Sequence, residues 1–130
     1  VSIEPHMDSM AQKPERALRL LDALDDLQIT LDWAQMVCQG VPMEDIVTLL
    51  PRTRHVQVRQ ATYGRLQTAF DDGTINPSDV LDALDNADYQ GRLCIEYMKT
   101  KSLRHGMVEV DSIVESTRLR DAFREARDGE

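Results

Sequence analysis

The chain alternates between short stretches of period two and longer ones of period near 3.6. In residues 1–4, Val1 and Ile3 fall on one side and Ser2 and Glu4 on the other, the alternation of an extended segment. It returns in 28–32, where Ile29 and Leu31 oppose Gln28, Thr30 and Asp32. It returns again in 54–59, where Val56 and Val58 oppose His55, Gln57 and Arg59, and in 91–97, where Leu93 and Ile95 oppose Cys94 and Glu96. Helical patterns run between these strands. After Pro14, which suits a first helical turn, Ala17, Leu20, Leu21 and Leu24 form an apolar stripe and predict a helix over 14–26. Met43, Ile46, Leu49 and Leu50 predict a short helix over 43–50. Asn76 and Pro77 pair a cap with a proline at the first helical position, opening a helix to Asn86 packed through Val80, Leu81 and Leu84. A last helix begins at Asp111 or Ser112, with Ser112 and Glu115 at capping-box spacing and Ile113, Val114, Phe123 and Ala126 as packing positions. Residues 60–75, with Gly64, Asp71, Asp72 and Gly73, read as a polar loop, long enough to suggest a function.

Strand and helix thus alternate four times, the order of a parallel α/β sheet. Right-handed crossovers make the simplest path a sheet ordered 1-2-3-4 with all helices on one face. At 130 residues the chain is one domain, well short of the about 250 residues of a complete eight-stranded α/β barrel. Four units make a half-barrel with two unpaired edges, at 1–4 and 91–97, and edges favour association. The expected partner is the missing half or a second copy of this chain; Val1, beginning directly in a strand, leans toward a fragment.

Each strand ends in a polar residue: Glu4, Asp32, Gln57 and Glu96, at gaps of 28, 25 and 39 residues. Side chains at the C-terminal ends of barrel strands converge on a shared mouth. Burying unpaired carboxylates there costs several kcal/mol, so the strand ends either open into a solvated cleft or hold a cation. Both readings mark a site.

Composition narrows the partners. With 15 Lys+Arg against 23 Asp+Glu, the formal charge of -8 repels phosphate backbones and anionic lipid. Nucleic acid and membrane are therefore not expected partners. Cys38 and Cys94 have no metal-ligand spacing and read as buried reduced thiols. No apolar run reaches the ~18 residues of a membrane span, and no basic leader opens the sequence, which points to the cytoplasm. His105, beside Gly106, reads as an exposed loop residue, and Arg118 to Glu130 as a solvated helix face with a frayed tail.

Five segments carry a resemblance: IEPH at 3–6, TLDWAQMVCQG at 30–40, RHVQVRQA at 54–61, GRLQ with DDGTIN within 64–76, and ADYQGRLCIEY at 87–97. In this order and spacing the chain resembles the sugar phosphate isomerase/epimerase family with the xylose isomerase-like TIM barrel. Apurinic endonucleases of the same fold are related to it. The match is to the C-terminal half of that (β/α)8 barrel, about strands five to eight, over residues 1–130. The last segment resembles the family's small-x-Tyr-x-Gly turn before a final strand ending in Glu.

The resemblance implies a divalent metal held by Glu4, Asp32, the residue at 57 and Glu96. Here Gln57 stands where the family has the second histidine of a His-x-His strand, the first being His55, and Gln35 stands where many relatives have histidine. The implied donor set is all oxygen, which favours Mg²⁺ or Mn²⁺ over Zn²⁺. The implied chemistry is proton transfer next to a carbonyl, with Glu4 and Glu96 as the catalytic carboxylates. His6, Gln35, His55, Arg59 and Gln67 are the implied substrate-binding residues for a small sugar or sugar phosphate. Trp33 and Met36 either line that pocket or pack in the core. The alternative is a degenerate carbohydrate-binding module or pseudoenzyme without tight metal binding; the nucleolytic reading sits badly with the charge of -8.

Overall fold

In the computed structural model, the described residues are 1–99 and 104–129. Four strands, β1 (Ser2–Ile3), β2 (Gln28–Asp32), β3 (Thr53–Val58) and β4 (Arg92–Ile95), form one sheet in the order β1-β2-β3-β4. Every neighbouring pair is parallel. This is the four-unit path expected from the sequence. The period of two does its work on β2 and β3: Ile29, Leu31, Val56 and Val58 are fully buried in the core beneath the helices. Thr30, His55 and Gln57 alternate with them on the opposite, barrel-interior face, which no helix among the described residues covers.

The strands are shorter than their alternation. Glu4, Arg59 and Glu96 lie one residue past the ends of β1, β3 and β4, at the C-terminal rim. Asp32 ends β2 and also caps the next element, α2 (Trp33–Cys38), by accepting from the N–H groups of Ala34 and Gln35. Sequence periodicity did not predict α2. Its Trp33 and Met36 are core residues, 1% and 0% exposed.

Helix α1 (Pro14–Ala23) stops three residues before the end predicted for it, so Leu24 is exposed rather than part of the stripe. The early stop leaves carbonyls without helical partners, and Arg52 supplies them. Its guanidinium donates to the carbonyls of Leu21, Leu24, Asp25 and Leu27. The helix expected over 43–50 is split into α3 (Met43–Ile46) and a 3-10 segment, Val47–Arg52. Helix α4 (Pro77–Asn86) has the expected Asn76 cap.

Helix α5 (Ser112–Asp128) is capped differently from the capping-box reading. Asp111 is the N-cap, accepting from Ile113 and Val114, while Glu115 turns away to accept from the Phe70 N–H. Ile113 and Val114 are exposed; the buried contact is made by Phe123, as expected, together with Leu119. The 60–75 segment is pinned rather than loose. Gln60 bonds both the N–H and the carbonyl of Ile75, and Arg118 pairs with Asp71 and lies over the Phe70 ring.

The Ala87–Gly91 turn explains its own composition. Tyr89 folds over Gly91 and donates to the Arg92 carbonyl. A Cβ at Gly91 would strike the Tyr89 hydroxyl and come within 2.5 Å of the Arg54 carbonyl, so only glycine fits. Cys38 is buried, but Cys94 is exposed, because it faces the uncovered side of the sheet. Both thiols are free. No helix among the described residues is long and apolar enough to cross a membrane.

Strands β1 and β4 each pair on one side only, leaving rows of unpaired backbone groups beside the uncovered face. We expect this chain to self-associate at micromolar concentration. Sedimentation velocity should show a concentration-dependent species larger than 130 residues; a compact, concentration-independent monomer would contradict the expectation.

Candidate functional site

Parallel register fixes which side chains meet. Asp32 pairs with Gln57 and Gln57 with Cys94, so residues 32, 57 and 94 form one level across β2, β3 and β4. Val58 pairs with Ile95, and the Glu96 N–H donates to the Val58 carbonyl at 2.9 Å. Arg59 and Glu96 therefore follow at the next level up, beside one another at the rim. On the other side, Glu4 emerges from the end of β1. The carboxylates of Glu4, Asp32 and Glu96 come together here, with ligand oxygens within 4.8 Å of one another. It is the arrangement the spacing of the strand ends suggested.

The three differ in surroundings. Asp32 is 2% exposed; Oδ1 accepts from the Ala34 and Gln35 N–H groups, and Oδ2 accepts from Arg59 Nη2 at 3.2 Å. Burial pushes its carboxyl up to about 6; Arg59 pulls the other way, and the charges of Glu96 and Glu4 push it further up. Glu4 is exposed at the rim, yet protein crowding first and Glu96 second raise its carboxyl above the usual range, against His6, Arg59 and His55. Glu96 is half-buried; the next residue, Tyr97, donates its hydroxyl to the Thr68 carbonyl and accepts from the Gln60 N–H.

Gln57 presents a buried Oε1 with no hydrogen-bond partner, on the face that carries Asp32. That oxygen and the three carboxylates make an all-oxygen donor set, and an orphaned buried acceptor in such company suits a hard divalent cation. His55 lies lower on the same face, across from Thr30.

The remaining sequence-predicted residues divide. His6 is exposed, with Nδ1 at 2.6 Å from the Met7 carbonyl. It shares a cavity of about 360 Å³ with Met7, Asp8, Gln35, Arg104 and His105. Gln35 accepts from the Met7 N–H through Oε1, fixing the loop after β1. Gln67 is fully buried and outside the cluster: its Nε2 donates to the carbonyls of Met98 and Val108, and its Oε1 accepts from the Met98 N–H. Arg59 is 3% exposed and faces Asp32.

Sequence reading missed the clasp across the mouth. Asp8 accepts from Arg104 at 3.0 Å and meets His105 Nε2 at 2.9 Å, joining the loops that follow β1 and β4. His105, read as a plain loop residue, is held at φ 55 opposite Asp8 at φ 66. Nothing in local periodicity announces a pair 97 residues apart. Its one sequence cue was a histidine beside a glycine at a strand-following loop.

Comparison with known proteins agrees with this geometry. A family model, the xylose isomerase-like TIM barrel, matches residues 1–121. No curated protein sequence matches the chain. Three similar solved structures are sugar epimerases. A 3-keto-D-glucoside 4-epimerase from E. coli, in its apo form, has 19% identity and a TM-score of 0.66, over 98% of this chain and 45% of that one. A D-allulose 3-epimerase from Methylomonas sp. has 14% identity and a TM-score of 0.71, over 96% of this chain and 48% of that one. An L-ribulose 3-epimerase has 13% identity and a TM-score of 0.69, over 98% and 48% respectively. The chain spans about half the length of these proteins, and at such identities the likeness is one of fold. With four parallel strand-helix units and a family match over nearly its whole length, the chain belongs to the xylose isomerase-like TIM barrel family.

Proposed function

We propose that this chain carries the carboxylate side of a sugar isomerase or epimerase site, acting by proton transfer at a carbon next to a carbonyl. The observation that carries the reading is the convergence of Glu4, Asp32 and Glu96 at the C-terminal rim of a parallel sheet. Glu4 and Glu96, from the first and last strands, act as the pair that removes and returns the proton. A carboxyl held above its usual range, as Glu4 is, returns a proton near neutral pH more readily than an unperturbed one. Asp32, Glu4 and Glu96, with Gln57 beside them, would hold a divalent cation, Mg²⁺ or Mn²⁺ by donor type. Such an ion supplies stabilisation of the negative charge that develops on the substrate oxygens. His6 and Gln35 position the sugar in a cavity that Arg104 and His105 also line.

A complete mouth needs eight strand ends, and this chain brings four. The proposed partner is a second half-barrel, whether joined in one polypeptide or supplied as another chain, including a copy of this one. The competing reading is a carbohydrate-binding relative without chemistry, favoured by glutamine at 35 and 57.

Deuterium exchange separates these. Incubated in D₂O and Mn²⁺ with the chain in its associated form, a ketose should take up deuterium at the carbon next to its carbonyl, followed by NMR. Glu96→Gln and Glu4→Gln should each slow exchange by about 100-fold. Exchange no faster than buffer, with sugar binding intact, would establish the binding module instead.

The carboxyl shifts also fix a pH dependence. Asp32 and Glu4 bind protons more tightly folded than unfolded. From the ordinary aspartate value of 3.8 up to about 6, the native state therefore gives up protons that the unfolded chain has already lost, and stability falls as pH rises. Asp32→Asn keeps a cap acceptor but cannot ionise. In metal-free buffer, the melting temperature of the unmodified chain should fall relative to Asp32→Asn between pH 4 and pH 6.5; a relative rise would show that Arg59 outweighs burial.

A further inference from the structure

Two guanidinium groups in this chain are held in opposite ways. Arg52 is saturated, with five hydrogen bonds to four backbone carbonyls. Arg59 is far more deeply buried, at 3% exposure, yet its hydrogen bonding is limited to Nη2 on Asp32 Oδ2. Its Nε and Nη1 are buried without a partner. Buried polar groups are normally satisfied, so an arginine at this depth that serves the fold would bind carbonyls as Arg52 does. Arg59 is instead held by charge.

That charge is the carboxylate cluster. Register puts Arg59 at the level of Glu96 on the neighbouring strand, and its bond to Asp32 ties it to the strand on its other side. Three carboxylates within 4.8 Å carry more negative charge than a partly dry site tolerates without a cation. A guanidinium keeps its proton under all ordinary conditions, which makes it a permanent counter-ion. Asp32 Oδ1 is committed to the first turn of α2, so Oδ2 is the oxygen left for any cation, and Arg59 occupies it.

We propose that Arg59 is the resident counter-ion of the Glu4–Asp32–Glu96 cluster, and that a divalent cation enters only in competition with it for the Asp32 carboxylate. The inference rests on the reading of this cluster as the cation site. It makes the guanidinium a determinant of how tightly the chain holds metal. It also assigns Arg59 a role other than binding sugar, since its spare donors are closed to solvent.

The test is calorimetric titration of the full chain with Mn²⁺. Arg59→Gln, which removes the charge and keeps a polar side chain, should tighten binding by about tenfold or more. Adding Glu96→Gln to that variant should abolish the gain. Unchanged or weaker binding by Arg59→Gln would overturn the competition while leaving the cluster as the cation site. A gain untouched by Glu96→Gln would place the ion elsewhere, overturning the cluster reading as well. A measurement on the unmodified chain guards against a variant that does not fold. The Arg59 side-chain Nε–H resonance should shift with Mg²⁺ occupancy as the guanidinium leaves Asp32; a resonance that stays put while Mg²⁺ binds would refute the proposal.

Discussion

The two-sidedness of one parallel sheet governs everything else in this molecule. Successive side chains on a strand point to opposite faces, and the helices cover only one. Ile29, Leu31, Val56 and Val58 are sealed beneath them, which leaves Thr30, His55, Gln57 and Cys94 on a face that the described residues do not close. A slip of one residue in any strand would exchange these sets, burying an imidazole and a carboxylate among the helices. Correct register therefore builds the core and the site in one act. Since the strands are all parallel, their C-terminal ends fall on one rim, and the residues just past those ends share it.

That rim holds more negative charge than positive, and the surrounding structure manages it piece by piece. Asp32 is pinned by two backbone N–H groups and a guanidinium. Glu96 is tied to the neighbouring strand by its own N–H, which donates to the Val58 carbonyl. Glu4, least buried of the three, takes its pressure first from the desolvation it still suffers and then from Glu96, and its relief from His6, Arg59 and His55. The cluster is thus neither a solvated group of surface acids nor a neutralised core network. Among the described residues the guanidinium of Arg59 is the fixed cation bonded to this cluster, against three carboxylates, and this is the electrostatic state of a site prepared for a further positive charge or for protons.

Much of this was legible in the sequence because strands state their orientation locally. Glu4, Asp32, Gln57 and Glu96 could be aligned by alternation alone, and their strands were found in the expected order. What local pattern could not carry was any feature made by distant residues. The capping-box spacing of Ser112 and Glu115 was real, but Asp111 capped α5 and Glu115 bonded Phe70, 45 residues away. Leu24 fitted the helical stripe, but the helix ends before it, and its carbonyl is satisfied by Arg52 from 28 residues away. Helix α2 was hidden because Asp32 reads equally as a strand end and as a cap, and it is both. Gln67 looked like a mouth residue by motif, but its amide is spent on the backbone of 98 and 108.

The central claim is that Glu4, Asp32 and Glu96 form one cation-binding site. Anomalous diffraction at the manganese edge, from crystals equilibrated with millimolar Mn²⁺, tests it most directly. One strong peak should lie among the three carboxylates, with the Arg59 guanidinium moved off Asp32 Oδ2. Manganese bound only at other acidic side chains, with Arg59 still on Asp32, would contradict it.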